Sequence, residues 1–221
     1  MLAEELINQV IPTLRRSDVV ETATDWMNEY RINELPVVED ELYFGMVSDA
    51  TIALHDNPET LIGELQLIHQ NTFVRTDQHL YEIIRTAHNN NVDTLPVLHH
   101  DNTYVGVITI RDTIKAIAKK FTFQMDGGII ILSMDYRDYS LSEISRLVEA
   151  NNVRILSSSL EPDEEDPMKV KLTIKFNTLD LKYVVATLER YEYKIIAKFL
   201  SKEDYNIETE RLNMLFKYLS I

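Results

Sequence analysis

A motif that occurs twice constrains this chain more than any other feature. Leu35-Pro36-Val37-Val38, an acidic tip Glu39-Asp40-Glu41, and Tyr43-Phe44-Gly45-Met46-Val47-Ser48 form the first copy. Leu95-Pro96-Val97-Leu98, the tip His99-His100-Asp101-Asn102, and Tyr104-Val105-Gly106-Val107-Ile108-Thr109 form the second. Each copy is a pair of β-rich runs around a turn, the pattern of a hairpin. The triplets stand 60 positions apart and the glycines 61, so the second hairpin carries one more residue. A helical pattern precedes each copy, Val19 to Tyr30 and Leu80 to Asn90. An internal repeat of this length outranks other sequence signals and predicts two like units in one module.

Around the repeats the local expectations are specific. Leu2, Leu6, Val10 and Leu14 recur at a helical spacing, and Pro12 bounds that predicted helix. Ser17 or Asp18 is placed to cap the next helix, with Glu21 near its third position. Ala23, Trp26, Met27 and Tyr30 share one face, and Trp26 reads as core rather than ligand platform. Asp49 to His55 and Thr60 to Ile68 read as short helices or turns around Pro58. Asp77 is the expected cap for the Leu80, Ile83, Ile84 and Ala87 stripe, which Asn89-Asn90-Asn91 ends with turn chemistry. Pro96 is expected to head its strand, where a missing N–H costs least. A helix is expected from near Asp112 to Lys120, its last turn basic.

Asp126-Gly127-Gly128 punctuates the chain and predicts a boundary there. After it the order changes to strand, helix, strand, strand, helix, strand. Ile129–Met134, Leu141–Ala150, Val153–Leu160, Val170–Phe176, Leu181–Tyr191 and Tyr193–Leu200 carry these patterns, with an acidic loop from Glu161 to Pro167. That is the βαββαβ ferredoxin-like plan. Leu212, Leu215, Phe216 and Leu219 then follow helical spacing, so the tail is expected to be an amphipathic helix covering a surface. The fold class expected is α/β (α+β).

Composition removes several functions. The formal net charge is −14, which repels phosphate backbones and argues against a nucleic-acid partner. Cysteine is absent, so disulfides, thiol nucleophiles and Cys-ligated zinc are excluded. Met1-Leu2-Ala3-Glu4-Glu5 is acidic where a signal peptide is basic. Ile129-Ile130-Ile131-Leu132 is too short to span a bilayer. A soluble cytoplasmic protein with no membrane partner is the expectation. No nucleophile elbow, phosphate-binding glycine loop or His-Glu-x-x-His appears, so no enzyme is expected. His99-His100-Asp101 is an exposed hairpin tip, since adjacent side chains on a strand diverge and suit one ion poorly. The acidic loop lacks the glycine and terminal glutamate of a calcium loop. No metal site is expected.

The repeated Leu-Pro-Val, the glycine of the last strand, and Gly106-Val107-Ile108-Thr109-Ile110-Arg111-Asp112 resemble a tandem pair of CBS domains. The likeness covers residues 1–125, with repeats at about 8–65 and 66–125. A leading segment that packs on the other repeat is part of what it implies. Residues 126–200 resemble an ACT-like domain, and Leu141-Ser142-Glu143-Ile144 is the best local match. With the helical tail at 201–221, the whole is similar to acetoin-utilisation-type regulatory proteins. ACT domains usually place Pro-Gly before the first helix, where glycine lets an amino acid reach the backbone. Here Asp138-Tyr139 stands there, so no free amino acid is expected to bind.

The CBS resemblance implies a regulatory sensor for an adenosine-containing metabolite, such as S-adenosylmethionine or AMP, acting on a regulated protein not identified by the sequence. Thr109 and Asp112 match the hydroxyl and carboxylate that commonly hold a ribose, and a carboxylate suits two vicinal hydroxyls. The purely structural reading is that Thr109 ends a strand and Asp112 caps a helix. Ser48 and Thr51 occupy the matching positions of the first repeat without the carboxylate, so one good site per chain is expected. Asn33-Glu34 and Asp93-Thr94 stand where the family often reaches phosphates. Glu34 and Asp93 would repel them, with Arg75, Arg85 and Arg111 available to compensate, so an uncharged or cationic adenosyl ligand is favoured over ATP. A homodimer is expected from two self-associating modules. The rival expectation is a structural, dimerising adaptor whose ligand sites have decayed.

Overall fold

The computed structural model describes residues 1–55 and 57–200, so the expected tail helix lies outside the described residues. Helices and sheets are mixed along the chain. Residues 1–118 form one compact unit and the residues from Lys119 another, so the Gly-Gly pair falls inside the second unit.

The first unit is built from the two repeats. Helix α1 (Val20–Tyr30) leads into strands β1 (Glu34–Glu39) and β2 (Leu42–Ser48), followed by a single-turn helix α2 (Asp49–Ile52). Strand β3 (Val74–Arg75), helix α3 (Leu80–Asn90), strands β4 (Thr94–Leu98) and β5 (Tyr104–Thr109) and helix α4 (Ile110–Ala118) repeat that plan. Both hairpins are antiparallel and carry a bulge at the same place, after Val37 and after Val97. Both first helices end on a left-handed residue, Arg31 at φ 55° and Asn91 at φ 52°. Asparagine tolerates that conformation and arginine does so less readily.

Each proline is the third residue of its strand rather than the first. A strand residue's N and O point to the same side. Leu14 N donates to Pro36 O at 2.8 Å, so the missing N–H of Pro36 faces Leu14 and leaves the β1–β2 ladder whole. In the second repeat β3 pairs with β4 only from Val97 onward, so Pro96 again interrupts nothing.

The residues expected to form a leading helix take another course. Only Ala3–Leu6 makes a 3₁₀ turn. Beyond it the backbone bonds to strands instead: Asn8 N to Val107 O, then Leu14 in parallel with Val37. Leu6 and Leu14 are buried while Val10 is 70% exposed, so the apolar spacing reflects two different cores. Met1, Ala3, Leu6 and Ile7 pack with the second repeat, around Ile83, Leu95 and Ile108. Ile11 and Leu14 pack with the first, around Leu35, Val37 and Val47, where Trp26 is half-buried.

Helix starts also differ from expectation. The Asp18 carboxylate accepts from Arg15 N, and the first N–H groups of α1 go instead to Thr60 O and Pro58 O. His79, not Asp77, caps α3, accepting from Tyr81 N through Nδ1. Helix α4 follows β5 without a connection, which makes Asp112 its third residue.

In the second unit α5 (Phe121–Gln124) precedes β6 (Ile129–Asp135), α6 (Leu141–Glu149), β7 (Ile155–Pro162), β8 (Lys169–Phe176), α7 (Lys182–Arg190) and β9 (Lys194–Phe199). The sheet order is β7-β8-β6-β9, all antiparallel, which is the ferredoxin-like arrangement. Strand β8 alternates as its sequence does: Val170, Leu172, Ile174 and Phe176 are buried against α6 and α7. Glu161 and Pro162 extend β7 rather than belonging to the acidic loop, and Asp163 accepts from Glu165 N and reaches Lys171 Nζ at 3.2 Å.

The two repeated glycines differ in what they require. Gly45 has a φ of +145°, and a Cβ there would lie 2.9 Å from Ile68 O. Gly106 would instead meet a movable side-chain tip, Ile7 Cγ2. Gly45→Ala should therefore lower stability by about 1–3 kcal/mol, and Gly106→Ala by less, as read from denaturation midpoints.

Candidate functional site

Strand β5 ends and α4 begins at one point, and that junction carries the site. The Thr109 hydroxyl accepts from Asp112 N at 3.0 Å and donates to Asp112 Oδ2 at 2.9 Å. Thr109 is thus the capping residue, a role the sequence reading had given to Asp112. Buried Thr113 donates its hydroxyl to Thr109 O at 2.9 Å, which fixes the first turn. Ile110 N donates to Asp93 O at 2.9 Å, bringing the residue before β4 to the same place.

Asp112 gathers donors from three sides. Asn8 Nδ2 reaches its Oδ2 at 2.7 Å, and Lys115 Nζ reaches Oδ1 at 3.1 Å. Partial burial pushes the carboxyl up, but hydrogen bonds from Asn8, Lys115 and Thr109 outweigh it and hold the group below its ordinary value. Asp112 is therefore a carboxylate at neutral pH. The Lys115 pair is largely exposed and contributes little to stability.

These residues line a cleft of about 610 Å³ within the first unit. Thr109, Arg111, Asp112, Asp93 and Thr94, all expected at the site, are brought together there. Ile11, Ile32 and Ile110 add an apolar wall. The volume falls in the range of small-molecule sites. The structure does not bring Ser48 and Thr51 to this cleft. They form a hydroxyl pair at 2.9 Å, and Ser48 caps α2 by accepting from Thr51 N at 3.1 Å. The local geometry of Thr109 and Asp112 is thus repeated without a charge.

Among the lining residues that escaped the sequence reading are the polar Asn8, Arg31 and Lys115. Arg31 sits at the left-handed end of α1, where its N–H donates to Met27 O. Its correspondence with Asn91 across the repeat was the available signal. Lys115 was legible as one helical turn beyond Asp112. For Asn8 no local signal existed, because it comes from a segment far away in sequence.

The charge around the cleft also differs from expectation. Glu34, expected to meet phosphates, is not among its lining residues, whereas Asp93 is. Arg75 is spent on the second hairpin, donating to His99 O and to Asn102 Oδ1, and Arg85 pairs with Glu82 on the surface. Arg111 does line the cleft, with Arg31 and Lys115, so three cations face two carboxylates. His100, exposed at the hairpin tip, pairs with Asp77 at 3.2 Å. In the second unit Tyr139 is partly buried and packs against the core.

Residues 62–119 match the family model of the CBS domain. Protein MJ1232 of Methanocaldococcus jannaschii is 31% identical over 102 residues, 46% of this chain and 34% of its own length. Inosine-5'-monophosphate dehydrogenase of the same organism is 25% identical over 149 residues, 67% of this chain and 30% of its own. The chain spans about a third of each of these relatives. The crystal structure of protein MJ1004 from that organism is 20% identical, covers 54% of this chain and 60% of its own, and superposes with a TM-score of 0.50. Among the described residues no helix is long and apolar enough to cross a membrane.

Glu34 remains as a half-buried carboxyl close to Asp93. Its Oε2 is buried without a hydrogen-bond partner, and His69 Nε2 lies 3.7 Å from Oε1. Burial, with Asp93 and Asp49 nearby, raises its carboxyl from 4.5 to about 7. The folded state then holds this proton more tightly than the unfolded chain does. Stability from this group is present below pH 4.5 and lost as pH rises through 7. Glu34→Gln should abolish that loss and exceed wild type above pH 7 by about 1–3 kcal/mol, measured as paired denaturation curves across pH.

Proposed function

We propose that this CBS-domain protein is a regulatory ligand sensor whose cleft takes an adenosine-containing metabolite. The observation that carries the reading is Asp112: a carboxylate held in its charged form, at the start of α4, on the wall of a cleft with apolar and cationic neighbours. A ribose presents two vicinal hydroxyls, and a carboxylate accepts from both. Ile11, Ile32 and Ile110 offer the apolar surface a purine face needs. Arg31 and Arg111 suit a phosphate, since guanidinium groups bind phosphate oxygens in pairs. AMP therefore fits at least as well as adenosine or S-adenosylmethionine, although Asp93 also lines the cleft.

Binding regulates only by favouring one of two states. We place the response in the association of two copies and in a partner protein. Tyr81, Ile84 and Ile114 leave α3 and α4 with exposed apolar side chains that suit self-association. The adaptor reading rests on one observation: Asp112 already has donors from its own chain. Under that reading the chain associates and binds no nucleoside.

Titration with adenosine, S-adenosylmethionine, AMP and ATP separates the two. Asp112→Ala should weaken binding roughly tenfold to a hundredfold, the loss of hydrogen bonds to a charged group. Thr51→Ala should change little. Equal losses would show that the ligand does not rest on Asp112, and no binding by any of the four would favour the adaptor. Sedimentation of the free protein at micromolar concentration should show a dimer, and a monomer would contradict the association.

A further inference from the structure

The Asp112 carboxylate is nearly full before any ligand arrives. A carboxylate offers about four acceptor sites, two per oxygen. Oδ2 takes Asn8 Nδ2 and the Thr109 hydroxyl, and Oδ1 takes Lys115 Nζ. A vicinal diol that engages both oxygens therefore has to displace a donor from Oδ2. Thr109 is held in place, because its oxygen also accepts from Asp112 N. Asn8 belongs to the leading segment, which pairs with β5 at Val107 between backbone anchors at Ala3 and Glu4 on one side and Leu14 on the other, and exposed Val10 follows it.

The repeat supplies a second, independent observation. In the first hairpin Met46 bridges Ile68, as Val107 bridges Asn8 in the second. Ile68 is thus the counterpart of Asn8, and Thr51 is the counterpart of Asp112. The amide and the carboxylate occur together on one side, and both are absent from the other. Gly106 lets the leading segment approach, since a Cβ there would meet Ile7 Cγ2 at 2.5 Å.

We propose that Asn8 is an internal competitor for the ligand hydroxyls, so that binding releases its side chain and moves the leading segment. This rests on the sensor reading given above. Asn8 stands in for a hydroxyl of the ligand, and the segment that carries it becomes the element through which occupancy is reported. Val10 N is the nearest witness, because it donates to Asn8 Oδ1 at 2.9 Å.

The experiment uses the full chain with AMP and adenosine as probes. Asn8→Ala removes the competitor. Asn8→Ser keeps a short oxygen for the turn to Val10 but does not reach Asp112. Both should bind AMP roughly tenfold more tightly than wild type, with melting temperatures that show each variant folded. In wild type, saturating AMP should shift the amide resonances of Asn8 and Val10. Unchanged or weaker affinity in both variants, or unmoved resonances at saturation, overturns the competitor while leaving the sensor intact. Binding lost in Asp112→Ala confirms the sensor separately. Absence of binding in wild type and both variants overturns both, whereas binding by the variants alone supports both.

Discussion

Everything in the first unit depends on two chain segments that lie across the hairpin of the other repeat. Asn8 bonds to Val107, and Ile68 pairs with Met46. Each hairpin has only two strands of its own, and an isolated two-stranded ribbon is marginal in water. The crossing segments satisfy backbone groups and carry apolar side chains into the core. They require close approach, which is why a glycine stands at position 45 and again at 106.

That crossing also builds the cleft. The leading segment brings Asn8 to the start of α4, and the end of α1 brings Arg31 to the same place. A helix start offers free N–H groups and a favourable field for negative charge. Thr109 takes one of those N–H groups, and the Asp112 carboxylate sits in the first turn, where its charge is stabilised. The same arrangement exists at Ser48 and Thr51 with hydroxyls alone, so equal backbone geometry yields unequal chemistry.

Glu34 shows the cost of bringing the repeats together. Its strand position is the counterpart of Thr94, which is buried and uncharged. Burial, and after it the nearby Asp93 and Asp49, push the carboxyl toward its neutral form. Residues near a junction of two like units meet charges from both, and a reading of one unit alone omits half of them. The CBS resemblance put Glu34 where phosphates are reached, although it does not line the cleft.

The sequence by itself determined the repeat, the hairpins and the ferredoxin-like order after residue 128. These follow from local periodicity and turn residues, which act over a few positions. Strand β8 is the clearest case, since its alternation alone sorts buried from exposed side chains. Tertiary structure alone decided the course of residues 7–14, whose apolar spacing imitates a helix while serving two cores. It also decided which polar side chains face the cleft: Asn8 and Arg31 enter, while Arg75, Arg85 and Glu34 do not line it. The physical reason is that a site assembled from distant segments is set by which backbone edges pair, and edge pairing leaves no period in the sequence.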